Sequence, residues 1–216
     1  MRYRYILLDF DGTLADSFAC FLRVFNQLAE QFAFRPLDAA QLATMRGASA
    51  REVVAHTGLP LWKIPRVMAE GRRLMGVEAG SIRLFDGIAP VLERLAEEGV
   101  QLAIVSSNSE TSIRRILGPL SGHMRHFACG ASLYGKAARL RKAARACGAG
   151  PNSEVLCVGD EIRDAEAAAE AGFAFAPVMW GYTAPEGFDR VPQVARLARP
   201  EDLLTLVLGE GKSVSA

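Results

Sequence analysis

Ile6-Leu7-Leu8-Asp9-Phe10-Asp11-Gly12-Thr13 is the stretch that decides how this chain is read. A short apolar run ends at a carboxylate, and a second carboxylate follows two residues on. The pattern recurs twice. Leu102-Ala103-Ile104-Val105 ends at Ser106, and Val155-Leu156-Cys157-Val158 ends at Gly159-Asp160, with Asp164 further along. Apolar runs of this length followed by helical periodicity predict buried parallel strands. Ligands in such sheets bind at the carboxyl ends of the strands. Carboxylates and a hydroxyl that are distant in sequence are therefore expected at one sheet edge. Like charges gathered out of water repel, so a cation is expected with them.

Outward from the first run, Gly12 permits a tight bend. Phe18, Phe21, Leu22, Phe25, Leu28 and Phe32 then follow at helical spacing, an aromatic face that reads as packing. Only helical signals follow as far as Ile82. Ser49-x-x-Glu52 reads as a capping box ahead of Val53-Val54. Pro60 and Pro65 mark helix boundaries. No strand fits between Asp16 and Ile82, and so long a crossover is unusual in a parallel sheet. Residues 15–83 are therefore expected to form an inserted all-helical subdomain, with 1–14 and 84–216 forming the core. Beyond Leu84 the expected order is a helix over 90–98 closed by Gly99, a strand over 100–106, and a helix capped by Asn108 or Ser109. A strand near 127–130, a basic helix over 135–147 and the strand at 155–158 come next. A helix over 162–171 ending at Gly172, a strand over 173–178, a helix over 201–208 and a tail complete the chain. Alternating strands and helices predict an α/β fold built on a doubly wound parallel sheet.

Composition narrows the function classes. The chain has 216 residues, half of them hydrophobic, enough for a core with helices on both sheet faces. A net charge of +1 gives no general attraction to nucleic acid or to a membrane surface. No apolar run approaches the roughly 20 residues that span a bilayer. The opening Met1-Arg2-Tyr3-Arg4 and the apolar run behind it are too short for a signal peptide, and Asp9 interrupts them. A cytoplasmic protein is expected. Cys20, Cys129, Cys147 and Cys157 form no CxxC pair and read as reduced structural residues.

The carboxylates suggest a chemistry. Asp9 and Asp11, two apart on extended chain, point to one side. With Asp160 they suit a hard divalent cation, Mg²⁺ in the cell, with Mn²⁺ or Co²⁺ as substitutes in the tube. Phosphoryl transfer follows, with Asp9 as nucleophile and Asp11 as general acid and base. Ser106, Lys136 and the backbone N–H groups of Gly12 and Thr13 would offset the charge of the transferring group. Plainer readings apply elsewhere. Arg139, Arg141 and Lys142 read as a solvated basic face. Glu161 and His56 read as exposed, and His123 with His126 lacks further metal ligands.

Asp9-Phe10-Asp11-Gly12-Thr13-Leu14 resembles the first motif of the haloacid dehalogenase-like hydrolase superfamily. Val105-Ser106-Ser107-Asn108 resembles its second motif, Gly135-Lys136 its third, and Gly159-Asp160-Glu161-Ile162-Arg163-Asp164 its fourth. The helical insert resembles a C1 cap. Ala168, Gly172 and Trp180-Gly181-Tyr182 are similar to the phosphoglycolate phosphatase-like branch. The resemblance implies a Mg²⁺-dependent phosphatase acting on a small phosphorylated metabolite. It implies Asp9 as nucleophile, Asp11 as acid/base with its backbone carbonyl on the metal, and Asp160 as metal ligand. Asp164 stands beside these ligands or joins them. Ser106 and Lys136 are implied as phosphate binders, with Ser107 the alternative to Ser106. Gly12, Thr13, Asn108 and, in the cap, Arg46 complete the expected phosphate and substrate contacts. Asp11 argues against dehalogenation, because dehalogenases proper lack that second aspartate. Three alternatives share these motifs: a phosphomutase of the β-phosphoglucomutase kind, a phosphonate hydrolase using Lys63 as its Schiff base, and an inactive phosphate-binding scaffold. Oligomeric state is left open.

Overall fold

In the computed structural model the described residues are 1–38, 40, 41, 50–130 and 135–209, with backbone alone for 50–53. Arg46, the Ser49–Glu52 capping box and the tail from 210 onward lie outside them.

The five-stranded sheet is parallel throughout. Strand β1 (Tyr5–Leu8) is central, flanked by β4 (Gln101–Val105) and β6 (Val155–Gly159). Strand β5 (Met124–Ala128) lies outside β4, and β7 (Ala174–Pro177) lies outside β6. Leu8 is level with both Ile104 and Val158, so the three central strands finish together. Side chains alternate between faces, as the pleat requires. Ile6, Leu8, Leu102, Ile104, Leu156 and Val158 join one core cluster. That cluster includes Leu92 and Leu95 of α4 (Ile88–Glu97), Ile113 of α5 (Glu110–Leu117) and Val207 of α8 (Asp202–Leu208). Leu7, Ala103, Val105 and Cys157 enter the other cluster, with the alanine-rich faces of α6 (Lys136–Ala146) and α7 (Ile162–Ala171). Small residues on α6 and α7 let these helices lie close to the sheet and to each other.

The segment between the first and second core strands carries α1 (Phe18–Phe32), α2 (Ala50–Thr57) and α3 (Ile64–Glu78). Its two ends are joined by a short antiparallel ribbon, β2 (Ala15–Asp16) with β3 (Arg83–Leu84). This ribbon straddles the boundary expected at 15–83. Two-residue strands leave no periodic signal, so the sequence did not reveal it. The expected packing face of α1 is rotated. Cys20, Val24 and Leu28 are its buried stripe, while Phe21 is exposed and Phe25 and Phe32 are half-buried. Phe25 meets Phe34 edge-on, with centroids 5.4 Å apart. Strand β5 begins three residues before the expected start near 127, because Arg125 and His126 break its apolar pattern. An outer strand tolerates such polar positions. The helices expected at 135–147, 162–171 and 201–208 form within a residue at each end, and Ser109 is the cap of α5, accepting from Ser112 N at 3.1 Å. All four cysteines are unpaired. No helix among the described residues is long and apolar enough to cross a membrane.

Candidate active site

Asp9 follows β1 directly and Asp160 follows β6, each where its strand leaves the sheet. Asp164 stands in the first turn of α7. Ligand oxygens of Asp9, Asp160 and Asp164 lie within 4.8 Å of one another, and all three residues are buried. Lys136, first residue of α6, reaches into this group. Its Nζ is 3.1 Å from Asp9 Oδ1 and donates to Asp164 Oδ1 at 2.5 Å. Burial would lower the lysine's pKa, but Asp164 and Asp9 outweigh it and hold the ammonium charged. Asp9 is pushed up to about 6 by burial, against the opposing pull of Lys136. Asp160 is raised too, by burial and then by Asp9 and Asp164. One ammonium thus stands against three buried carboxylates, an arrangement that a hard divalent cation completes. Oxygen donors alone suit Mg²⁺, so the residues present fit the metal that the motifs imply.

Each carboxylate is held differently. Asp160, with no exposed surface, accepts from Thr13 Oγ1 on one oxygen and from the Tyr182 backbone N–H on the other, both at 2.9 Å. Asp164 divides its oxygens between Lys136 and the Glu161 N–H, closing a capping box at the start of α7. The Asp11 carboxylate is not in the cluster of three. Its Oδ2 accepts from Asn108 Nδ2 at 3.4 Å, and its Oδ1 is buried without a hydrogen-bond partner among the described residues. Burial raises its pKa, with Ser17 and Asn108 pulling it back.

The remaining expected residues divide. Ser106 is buried at the end of β4, its Oγ accepting from Asn108 N at 3.1 Å, whereas Ser107 is exposed. The N–H groups of Gly12 and Thr13 are engaged within the turn, with Ala15 O and Phe10 O. These two residues build the site rather than offer free donors. Glu161 is half-buried instead of exposed, because it caps α7 and pairs with Arg163. Burial lifts its carboxyl to about 7. Arg139, expected on a solvated face, folds over the sheet edge and donates to Ser106 O at 2.9 Å and Gly130 O at 2.8 Å. Lys63 donates to Phe32 O at 2.9 Å. His56 is exposed, as expected.

The segment Trp180-Gly181-Tyr182 closes over the first loop. Trp180 Nε1 donates to Thr13 O at 3.1 Å. A Cβ on Gly181 would lie 2.1 Å from Asp160 Cβ and 2.8 Å from Gly12 O. The compact aromatic–glycine–aromatic string was the one sign of this in the sequence.

Fold and site together define an α/β enzyme core with an acidic, lysine-braced site at its sheet edge. Residues 6–178 match the model of the haloacid dehalogenase-like hydrolase family, and the chain belongs to that family. It is 33% identical to a phosphoglycolate phosphatase of Synechococcus elongatus, over 94% of this chain and 96% of that protein. It is 30% identical to the tyrosine-protein kinase PtkA of Mycobacterium tuberculosis, over 86% of this chain and 65% of that protein. A haloacid dehalogenase-like hydrolase from Streptococcus pneumoniae shares the fold, with a TM-score of 0.81 at 20% identity over 95% of this chain and 98% of that one.

Proposed function

We propose that this protein is a Mg²⁺-dependent phosphatase that hydrolyses small phosphomonoesters through a phosphorylated Asp9. One observation carries the reading: Asp9, Asp160 and Asp164 converge on one buried point braced by Lys136. The likeness to a phosphoglycolate phosphatase along nearly the whole chain supports phosphoglycolate as the first substrate to try.

Asp9 and Asp160, with the Asp11 backbone carbonyl, would hold the metal, and Asp164 would stand at its edge. The bound ion supplies positive charge to the phosphoryl oxygens and removes the repulsion between the carboxylates. Asp9 attacks phosphorus while Asp11 gives its proton to the departing oxygen. Asp11 then takes a proton from the water that releases phosphate. Lys136 and Ser106 steady the phosphoryl group. Asp164 keeps Lys136 aimed, since their contact fixes the ammonium beside Asp9. Residues 15–83 form the cap, and the β2–β3 ribbon is its two-stranded root. The unpaired cysteines support a reducing, cytoplasmic setting.

Phosphate release from phosphoglycolate is expected with Mg²⁺ and not with EDTA. Asp9→Asn is expected to lower kcat/KM on the order of 10³-fold or more. Near-native turnover by Asp9→Asn, or full activity in EDTA, would remove the nucleophile or the metal from the reading.

A further inference from the structure

Lys136 and Arg139 stand one turn apart on α6, a spacing that puts both on one face of the helix. Lys136 reaches Asp9 and Asp164. Arg139 reaches across to the next strand. A single nitrogen, Nη1, donates to Ser106 O at 2.9 Å and to Gly130 O at 2.8 Å. Ser106 follows β4 and Gly130 lies just beyond β5, so the guanidinium bridges the ends of two neighbouring strands. Backbone bonds tie the same ends. Ser106 N donates to Ala128 O at 3.3 Å, and Gly130 N to Asn108 O at 3.0 Å. Arg139 is the side-chain member of that set.

The arrangement carries a cost. Arg139 Nε is buried without a hydrogen-bond partner among the described residues. A buried unpaired donor works against stability, so a guanidinium held this way asks for a reason in placement. The Ser106 hydroxyl supplies one. Ser106 is 1% exposed, and its Oγ accepts from Asn108 N at 3.1 Å. That bond fixes the oxygen through a lone pair and leaves the hydroxyl proton to be donated elsewhere.

We infer that Arg139 is a positioning residue. By holding Ser106 O and Gly130 O from the helix that also carries Lys136, it sets the Ser106 hydroxyl and the Lys136 ammonium at the spacing one phosphoryl group requires. The inference deepens the function proposed above and rests on it. Arg139 acts through Ser106, and its effect disappears when the hydroxyl is removed.

The test is the affinity of the whole protein for inorganic phosphate with Mg²⁺ present, read by titration calorimetry beside the affinity for Mg²⁺ alone. Arg139→Met keeps an apolar stem and loses both bonds. Arg139→Lys keeps the charge on a shorter stem without the planar fork. Both are expected to weaken phosphate roughly tenfold or more, the scale of one hydrogen bond to a charged group. Mg²⁺ affinity is expected to hold within about twofold. The decisive readout is a cycle with Ser106→Ala, in whose background Arg139→Met is expected to cost under about threefold. Full additivity of the two losses would overturn the positioning role, as would native phosphate affinity in Arg139→Met. Native affinity in Arg139→Lys beside a loss in Arg139→Met would assign the effect to charge and overturn it too. Equal weakening of phosphate and Mg²⁺, or loss of the native far-UV circular dichroism in both variants, would make Arg139 a stability residue instead. Ser106→Ala separates the two levels. If it weakens phosphate and Arg139→Met does not, only the inference falls. If Ser106→Ala binds phosphate as the wild type does, the Ser106 role proposed above falls first and takes the positioning role with it.

Discussion

Gly12 shows how much of this site depends on a missing side chain. Its φ of +79° lies in the left-handed region, and a Cβ there would come within 2.3 Å of Asp160 Oδ2. Backbone and carboxylate therefore approach closely only because the residue is glycine. Gly12→Ala is expected to displace Asp160 and weaken Mg²⁺ at least about tenfold, while the far-UV circular dichroism stays native. Unchanged affinity in calorimetry would mean that Asp160 is not a ligand. At this scale the sequence was partly legible. Asp9, Asp160, Asp164 and Lys136 were readable because each stands at a strand or helix end. Ser17 and Arg139 were not. Their partners are set by where loops return, and no local pattern marks that.

The elements obey simpler rules. Period-two alternation sent Leu7 to one face and Leu8 to the other, so strand identity was readable from short apolar runs. Helix ends were readable where glycine or serine marked them, as at Gly172 and Ser109. The failures were β5, whose outer position admits polar residues, and the two-residue ribbon. Packing predicts a contrast between helices. Leu92 of α4 has no exposed surface, and Leu92→Ala is expected to cost about 2–5 kcal/mol in urea unfolding. Val77 of α3 is 63% exposed, and Val77→Ala is expected to stay within about 0.5 kcal/mol. Comparable losses from both would contradict the assignment of the core to the sheet-facing side of α4.

Across the whole molecule the thiols report on integrity. Burial raises Cys20, Cys147 and Cys157, and lifts Cys129 from 9.0 to about 11. Native protein at pH 8 is expected to react slowly with a disulfide reagent, and all four thiols are expected to react at once in guanidinium. Rapid native reaction would show a core more open than the one described. The linkage has a definite sign. A thiol still protonated in the folded state but ionised in the unfolded one favours unfolding as pH rises, so stability should decline between about pH 9 and 11. Urea midpoints across that window measure it. The sequence by itself determined the parallel sheet, the helices that follow its first strand and the candidate carboxylates, because periodicity and strand-end position are local properties of the chain. Only the tertiary structure decided that Asp160 rests on Thr13 and Tyr182, that Asp164 serves Lys136, and that Ser17 turns from its helix toward Tyr182. Those pairings join residues far apart along the chain, and only the return of the loops over the sheet edge brings them within hydrogen-bonding reach.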